Sequence, residues 1–476
     1  MNPMCVKEWN CFYEIIPWPE KITLGQGAFD LNRPIAIIAE DRHSFQAHRL
    51  AHAFAYFGMM KGDAPYVIRL VEDAEIASFE GWRITIDSAE ITLCASGNAG
   101  MSYAVAALMQ MLSVATMPGE GHFLALRCGE AESTPRFSWR GVMLDCARHF
   151  VSRDAIVKLL HAMAHFRFNV FHWHLTDNEG WRTPSRFCPE LAGKGELNDG
   201  MYTCEEIEKI RAVAKLLDIR IVPEFDLPGH SRRLVSVLPE LGCRGEAADE
   251  ICVGNSKARA LAGRLLDEFM KLFPDSTEIH LGGDETSTGH WEQCPACQAA
   301  MKAKGFSDVR HLGHEFMLEM IERVRKTGRR AIVWNDSGIF PTDVIVQLWV
   351  EKNRAETLDN GNTVIASNCA TCYADRLLPW DIKFEDGMNP ASVEDNYMFE
   401  PTMGTHEHEN QFLGIELCTW TEHLPERRIG AKLMPRLVAL SEVACGDPRQ
   451  KLWSSFELRA ARQRDAALEP VTKNEK

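Results

Sequence analysis

The chain has 476 residues, 45% hydrophobic and 25% charged, which excludes a disordered or low-complexity polymer and suits about two globular units, or one barrel with an addition. Its net charge is −15 and it has no basic run, so neither nucleic acid nor an anionic membrane is an expected partner. No apolar stretch reaches the roughly 18 residues that a membrane span needs. The opening MNPMCVKEWNCFYEIIPWPE lacks a basic region followed by an apolar one, and the 15 cysteines are odd in number and dispersed. These features give the expectation of a cytoplasmic protein in a reducing compartment.

From residue 13 to 132 the pattern is that of a small α+β domain. RPIAIIAE, APYVIRLV, GWRITIDS and EITLCAS read as short strands between turn signals. NAGMSYAVAALMQMLSVA, with apolar residues at helical spacing, reads as a helix. CGEAESTPRFSW is small, polar and interrupted by Pro135, and reads as a connector.

From 137 to 455 the rhythm changes to strand, loop, helix. Strands are expected at 139–145, 168–176, 219–225, 278–283, 330–335, 344–350, 362–367 and 411–419. Helical patterns lie at 153–166, 204–217, 255–273, 309–327, 351–358 and about 428–444, with none evident in the long link between strands seven and eight. Eight strands in alternation predict a (β/α)8 barrel; the alternative is an open doubly wound sheet. That sheet would want a glycine-rich turn after its first strand, and Asp145-Cys146-Ala147-Arg148-His149 is not one.

Barrel enzymes carry their chemistry at the C-terminal strand ends. Those ends offer Asp145, Asp177 after His172 and His174, then Glu224 and Asp226 before His230, and the adjacent pair Asp284-Glu285 in HLGGDET. Later strands end in Trp334, Trp349 and Trp420, the last followed by Glu422, and the long link holds Tyr373 and Asp375. Aromatic faces with carboxylates suit a sugar, whose apolar faces stack on rings and whose hydroxyls donate to carboxylates. For Asp284 alone, a helix N-cap for a run starting near Thr286 is the competing account. Cys294-Pro-Ala-Cys297 is the one CxxC pair; with no second close pair evident, it reads as structural or incidental rather than as a zinc site.

The segments FSWRGVMLDCARHF (137–150), FHWHLTDNEGWR (171–182), VPEFDLPGH (222–230), HLGGDE (280–285), VWND (333–336), YAD (373–375) and GIELCTWTE (414–422) resemble the family 20 glycoside hydrolases, the β-N-acetylhexosaminidases. IIPWPEKI near the start resembles the small domain preceding the barrel in that family, so the likeness covers nearly the whole chain. The resemblance implies a carbohydrate substrate, no cofactor, no metal site, and attack on the anomeric carbon by the substrate's own acetamido oxygen. It implies Glu285 as acid/base and Asp284 as holder of the acetamido N–H, with a nearby anion raising the pKa of the acid. It further implies Arg140 at the 3- and 4-hydroxyls, Asp177 near the site, and His230 paired with an upstream acid, here Asp226. Tyr373 should hold the acetamido oxygen, Trp334, Trp349 and Trp420 should form the walls, and Asp375, Trp420 and Glu422 should meet the far end of the sugar.

The sequence departs from the family in three places. Residues 384–401 lack a tryptophan common there, and Trp380 is at the wrong spacing. Asn178 stands where a second acid is common, and Cys445 where an aromatic is usual. Two rivals remain at this stage: a barrel metallohydrolase using His172 and His174 with Asp226 or Asp284, and a sugar-binding protein without catalysis.

Overall fold

The computed structural model describes residues 10–56, 66–115, 125–243, 248–376, 391–402 and 404–472, with side chains to 463. The N-terminal domain comprises β1 (Lys21–Asp30), β2 (Ile35–Ala39), α1 (Ser44–Tyr56), β3 (Tyr66–Glu72), β4 (Trp82–Ile86), β5 (Glu90–Ala95), α2 (Asn98–Ala115) and β6 (Ala125–Ser133). Its sheet runs β1-β6-β4-β5-β3-β2, with β2, β3 and β5 parallel and the rest antiparallel. The expected strands and the helix of residues 98–115 are present. CGEAES, expected as connector, is strand instead: it belongs to β6, which pairs with both β1 and β4. Its polar residues alternate with buried ones, because a sheet strand needs only one apolar face.

The second unit contains β7 (Trp139–Asp145), α3 (Arg153–His165), β8 (Val170–His174), α4 (Cys204–Leu216), β9 (Arg220–Glu224), α5 (Arg232–Val237), α6 (Ser256–Leu272), β10 (Glu278–His280), α7 (Gly289–Gln293), α8 (Pro295–Ala303) and α9 (Arg310–Arg325). It continues through β11 (Arg330–Trp334), β12 (Ile345–Leu348), α10 (Arg354–Asp359), β13 (Val364–Ala366), α11 (Val393–Met398), β14 (Phe412–Thr419), α12 (Glu426–Cys445) and α13 (Trp453–Thr472). β7 to β14 are parallel and close into a barrel, which overturns the open-sheet alternative. α11 is a six-residue helix in the long link, where none was expected.

Local signals set the helix starts. Ser152 caps α3, Thr203 and Glu206 form a capping box on α4, and Asn255 caps α6. The strands are buried on both faces, β7 at every residue, because helices cover the outside and side chains fill the inside.

The barrel interior changes character along its axis. The lower layer is apolar: Trp139, Val170, Val222, Ile332, Ile345 and Ile365. Above it lie buried His172, Glu224, His280, Gln347 and Glu416. At the top Met143, Trp334, Tyr373 and Cys418 pack with Trp349 and Trp420. The fold thus delivers charge and aromatic surface to one end of the barrel.

α2 seals the other side of the small domain against the barrel. Gln110 donates to the carbonyls of Ile16 (2.7 Å) and His165 (3.2 Å). α13 returns to this seam, where Gln463 donates to the carbonyls of Glu14 (2.8 Å) and Gln110 (3.1 Å). The chain after the barrel therefore braces the domain before it.

Candidate active site

β10 ends at His280, and the next five residues leave the strand sharply. Gly282 (φ +63°), Gly283 (φ +93°) and Glu285 (φ +47°) all occupy left-handed backbone. This turn releases Asp284 and Glu285 from the strict alternation of a strand, so both can face the top of the barrel. Two glycines serve the turn: a Cβ on Gly282 would lie 1.8 Å from Asp226 Oδ1, and one on Gly283 2.8 Å from Met317 Cε. The helix-cap account of Asp284 fails, since the next helix starts at Gly289 with Thr288 as its N-cap residue. Gly282→Ala must shift the Asp226 carboxylate and adopt a φ that costs an L-residue about 1–3 kcal/mol. The expected result is a lowered Tm together with lost turnover; calorimetry and a rate assay check both.

The two carboxylates differ in setting. Asp284 is buried, and its Oδ1 finds no hydrogen-bond partner among the described residues. Burial raises its pKa well above the usual carboxylate range; Asp226, Asp336 and Glu224 push the same way and His230 opposes. The Glu285 side chain is 59% exposed at the rim. Its backbone N–H donates to Asp336 Oδ2 (3.0 Å), whose Oδ1 accepts from the Trp349 indole (3.0 Å). Asp336 therefore ties a pocket tryptophan to the acid-bearing turn.

His230 stands between the pair and the barrel interior, also in left-handed backbone (φ +47°). Its Nε2 lies 3.6 Å from Asp284 Oδ2 and 3.7 Å from Glu285 Oε2. Its Nδ1 bonds Asp177 Oδ1 at 3.0 Å. The expected pairing with Asp226 is thus corrected: the partner is Asp177, carried in by the loop after β8. Asp226 instead accepts from the Gly283 N–H (3.0 Å). Burial pushes the Asp226 carboxyl up to about 7, against the pull of His230.

Behind Asp177 runs a buried chain of alternating imidazoles and carboxylates. His174 Nε2 bonds Asp177 (2.7 Å) and its Nδ1 bonds Glu224; His172 Nδ1 bonds Glu416 (2.7 Å), while its Nε2 lies 3.1 Å from Glu224 in ion-pair contact. Burial opposes the charge on Glu224, and the surrounding histidines overcome it and hold its pKa well below the usual range. Both nitrogens of His172 and of His174 are therefore engaged by carboxylates of the barrel.

Arg140 is not at this end. It is the second residue of β7, so the barrel direction puts it at the opposite mouth. There it is fully buried, bonding Glu80 (2.5 Å), the Tyr103 hydroxyl (2.6 Å) and the carbonyls of Phe137 (2.5 Å) and Arg167 (2.7 Å). The arginine in the site is Arg148, three residues past the end of β7. Its guanidinium faces Asp177 (2.9 Å), Glu179 (3.2 Å), Asp145 (3.5 Å) and Glu422 (3.7 Å) and lies 5.0 Å from the Trp420 ring centre. Four carboxylates around one cation leave it charged under all conditions, and able to orient them.

The aromatic residues gather as expected. Trp420 sits 6.0 Å from Trp334 and 6.1 Å from Tyr373, centre to centre. The Trp334 indole N–H donates to Glu224 (2.9 Å), which fixes the ring but leaves it only 1% exposed, more floor than wall. Tyr373 is held by a short parallel bridge to Cys418, with the Ala374 N–H on the Cys418 carbonyl (2.7 Å). Burial raises its hydroxyl pKa well above the ordinary value, and Asp284 adds to this, so the group is a donor at working pH. Asp375 Oδ1 is buried without a partner among the described residues, and burial raises that carboxyl to about 6. The segment expected to lack a wall tryptophan, 384–401, is described only from 391, and Trp380 lies outside the described residues.

Glu422, at the far rim, is pushed up to about 7 by burial against the pull of Arg148. It gains its anionic form as pH rises through that value. A kcat/KM profile should therefore climb with pH near 7, and Glu422→Gln should flatten that limb while raising KM.

Comparison with known proteins identifies the family of the fold. The family model "Glycosyl hydrolase family 20, catalytic domain" matches residues 137–446, and "Glycosyl hydrolase family 20, domain 2" matches 12–131. A β-hexosaminidase of Akkermansia muciniphila is 26% identical over 440 residues, 86% of this chain and 88% of that protein. One of Vibrio furnissii is 29% identical over 471 residues, 90% of this chain and 76% of that protein. Among solved structures, the exo-β-N-acetylglucosaminidase of Vibrio harveyi in complex with N-acetylglucosamine superposes with a TM-score of 0.84 at 25% identity, covering 96% of this chain and 77% of that one. The β-N-acetylhexosaminidase of Bacteroides fragilis gives 0.81 at 27% identity, with 94% of each chain covered.

Proposed function

The chain belongs to glycosyl hydrolase family 20 and is a glycoside hydrolase, and from that premise we propose that it is a retaining exo-β-N-acetylhexosaminidase working through the substrate's own acetamido group. The observation that carries the reading is the contrast within one turn. Asp284 is buried, with a free acceptor oxygen and the His230 ring 3.6 Å away; Glu285 is exposed at the rim. Neighbouring residues cannot flank a sugar from opposite faces, as the usual two-carboxylate mechanism needs, and substrate assistance is this family's exception to it.

In the proposed reaction the acetamido carbonyl oxygen attacks the anomeric carbon. The glycosidic C–O bond breaks, and Glu285 gives its proton to the departing oxygen. Asp284 accepts the acetamido N–H and balances the charge of the cyclic oxazolinium ion. The Tyr373 hydroxyl donates to the acetamido oxygen and aims it. Glu285, now a carboxylate, takes a proton from water as the water opens the ring, and its acid form is restored. His230 and Asp177 hold the proton balance beside the pair. Arg148, with Asp375 and Glu422, meets the sugar hydroxyls; Trp349 and Trp420 cover its apolar faces.

Two inversions at one carbon give net retention. Proton NMR of a fresh digest should show β-N-acetylhexosamine first, with the α-anomer appearing by mutarotation. The α-anomer first would exclude the mechanism.

The site of action is proposed to be the cytoplasm, on small imported or recycled glycosides. None of the fourteen described cysteines is joined in a disulfide, which suits a reducing compartment, and no helix among the described residues is long and apolar enough to cross a membrane. Cell fractionation that finds the protein mainly outside the cell would overturn this placement.

A further inference from the structure

Four cysteines converge at one point beside the active-site loops. Cys243 and Cys252 come from the segment after β9, and Cys294 and Cys297 from the start of α8. All four are buried, none more than 3% exposed. Cys252 Sγ lies 3.6 Å from Cys297 Sγ and 3.7 Å from Cys294 Sγ, and Cys243 Sγ lies 4.0 Å from Cys297 Sγ. The four sulfurs all fall within 4.8 Å of one another.

These separations choose among the chemistries of sulfur. A disulfide needs about 2.0 Å, so no two of these sulfurs are joined. Thiols filling a core as small apolar groups have no reason to aim four sulfurs at one centre. A tetrahedral zinc ion with Zn–S bonds of about 2.3 Å puts its sulfurs about 3.8 Å apart. We infer that Cys243, Cys252, Cys294 and Cys297 bind one structural Zn2+ as a closed four-thiolate site.

The surroundings are built for thiolates. Gly254 is packed so closely on the other arm that a Cβ there would lie 2.4 Å from Cys297 Cα. Its backbone N–H is directed at the sulfurs of Cys252 and Cys297. Cys294 is the N-cap residue of α8 and Cys297 lies in its first turn, at the positive end of the helix dipole. Four thiolates on Zn2+ leave two negative charges, which these amides offset; binding releases the thiol protons to solvent. The spacing explains why CxxC alone looked incidental: the second pair is Cys-x8-Cys and lies over forty residues upstream, brought near only by the barrel.

The site clamps two loops that meet the reacting groups. On one arm the Ile251 N–H donates to the Pro228 carbonyl (3.0 Å), just before His230, and the Ser231 N–H to the Asp249 carbonyl (2.7 Å). On the other, the Trp291 indole donates to the Ile251 carbonyl (2.8 Å) and borders the cleft containing Glu285 and Thr286. The zinc is thus a positioning element for the leaving-group side of the site and takes no part in bond breaking. The inference stands on the thiol geometry and does not depend on the glycosidase reading.

The test is elemental analysis of the full chain, purified without chelator or immobilised metal. The expected result is one zinc per chain, released in step with mercurial titration of the thiols, and none in Cys252→Ser/Cys297→Ser. Should that variant fail to fold, the unaltered chain grown with cobalt should show the thiolate charge-transfer and intense visible bands of tetrahedral Co2+. Chain without stoichiometric metal, in which mass spectrometry finds four free thiols or two disulfides among these residues, would overturn the proposal, as would iron in place of zinc.

Discussion

Glu285→Gln is expected to lower kcat by roughly 100-fold or more, the usual contribution of a positioned acid/base. The substitution keeps shape and removes the transferable proton. Because the side chain is 59% exposed, no buried contact is lost and Tm should hold within about 0.5 kcal/mol of stability. The loss should depend on the leaving group. An aryl leaving group that departs as a stable anion needs little protonation and should retain more rate than a sugar leaving group. An unchanged rate on both would remove Glu285 from the mechanism and return weight to the rim carboxylates Glu179 and Glu422.

Asp284→Asn likewise separates activity from stability. The free Oδ1 of Asp284 is the acceptor available to an acetamido N–H. An amide there loses the charge that balances the oxazolinium ion and can turn a donor toward a donor. A loss of about 10²–10³-fold in kcat is expected, the scale of removing one preorganised electrostatic partner. Stability should not fall with it. Burial raises the Asp284 pKa well above that of the unfolded chain, so the folded form binds more protons and stability declines as pH rises above the ordinary aspartate range. Asn does not ionise, so the variant should show a shallower decline and an equal or higher Tm at neutral pH. A variant that lost activity and Tm together would make Asp284 a structural residue. Paired melting curves and rate assays across pH decide between the two.

The barrel was legible in the sequence for a physical reason. Its strands are buried on both faces, so WRGVMLD and FNVFHWHLT read as dense apolar runs, and the expected ends fell within three residues of those found. β6 was not legible, because half of it faces water and its polar residues imitate a linker. The short α7, α8 and α11 show too few turns for a periodic signal.

The site residues divide in the same way. Asp284, Glu285 and the tryptophans sit where strand-end reasoning puts them, and Tyr373 enters from the long link after β13. Arg140 and Arg148 share one motif, and strand direction alone distinguishes them: Arg140 lies at the N-terminal end of β7 and at the wrong mouth, whereas Arg148 follows its C-terminal end. Nearness in sequence points His230 to Asp226, but the barrel brings Asp177 across from the neighbouring strand. Asp336, which links Trp349 to the Glu285 turn, lay unremarked within VWND, since its role depends on a backbone N–H that no sequence displays.

The central claim is that the substrate's acetamido group supplies the nucleophile, and one comparison tests it most directly. Hydrolysis of an aryl β-N-acetylglucosaminide and of the corresponding aryl β-glucoside should be measured at one enzyme concentration and pH. The account predicts rapid cleavage of the first and almost none of the second, because the glucoside has no group for Asp284 and Tyr373 to hold. Equal cleavage of both would mean that a protein side chain attacks the sugar, and would contradict the account.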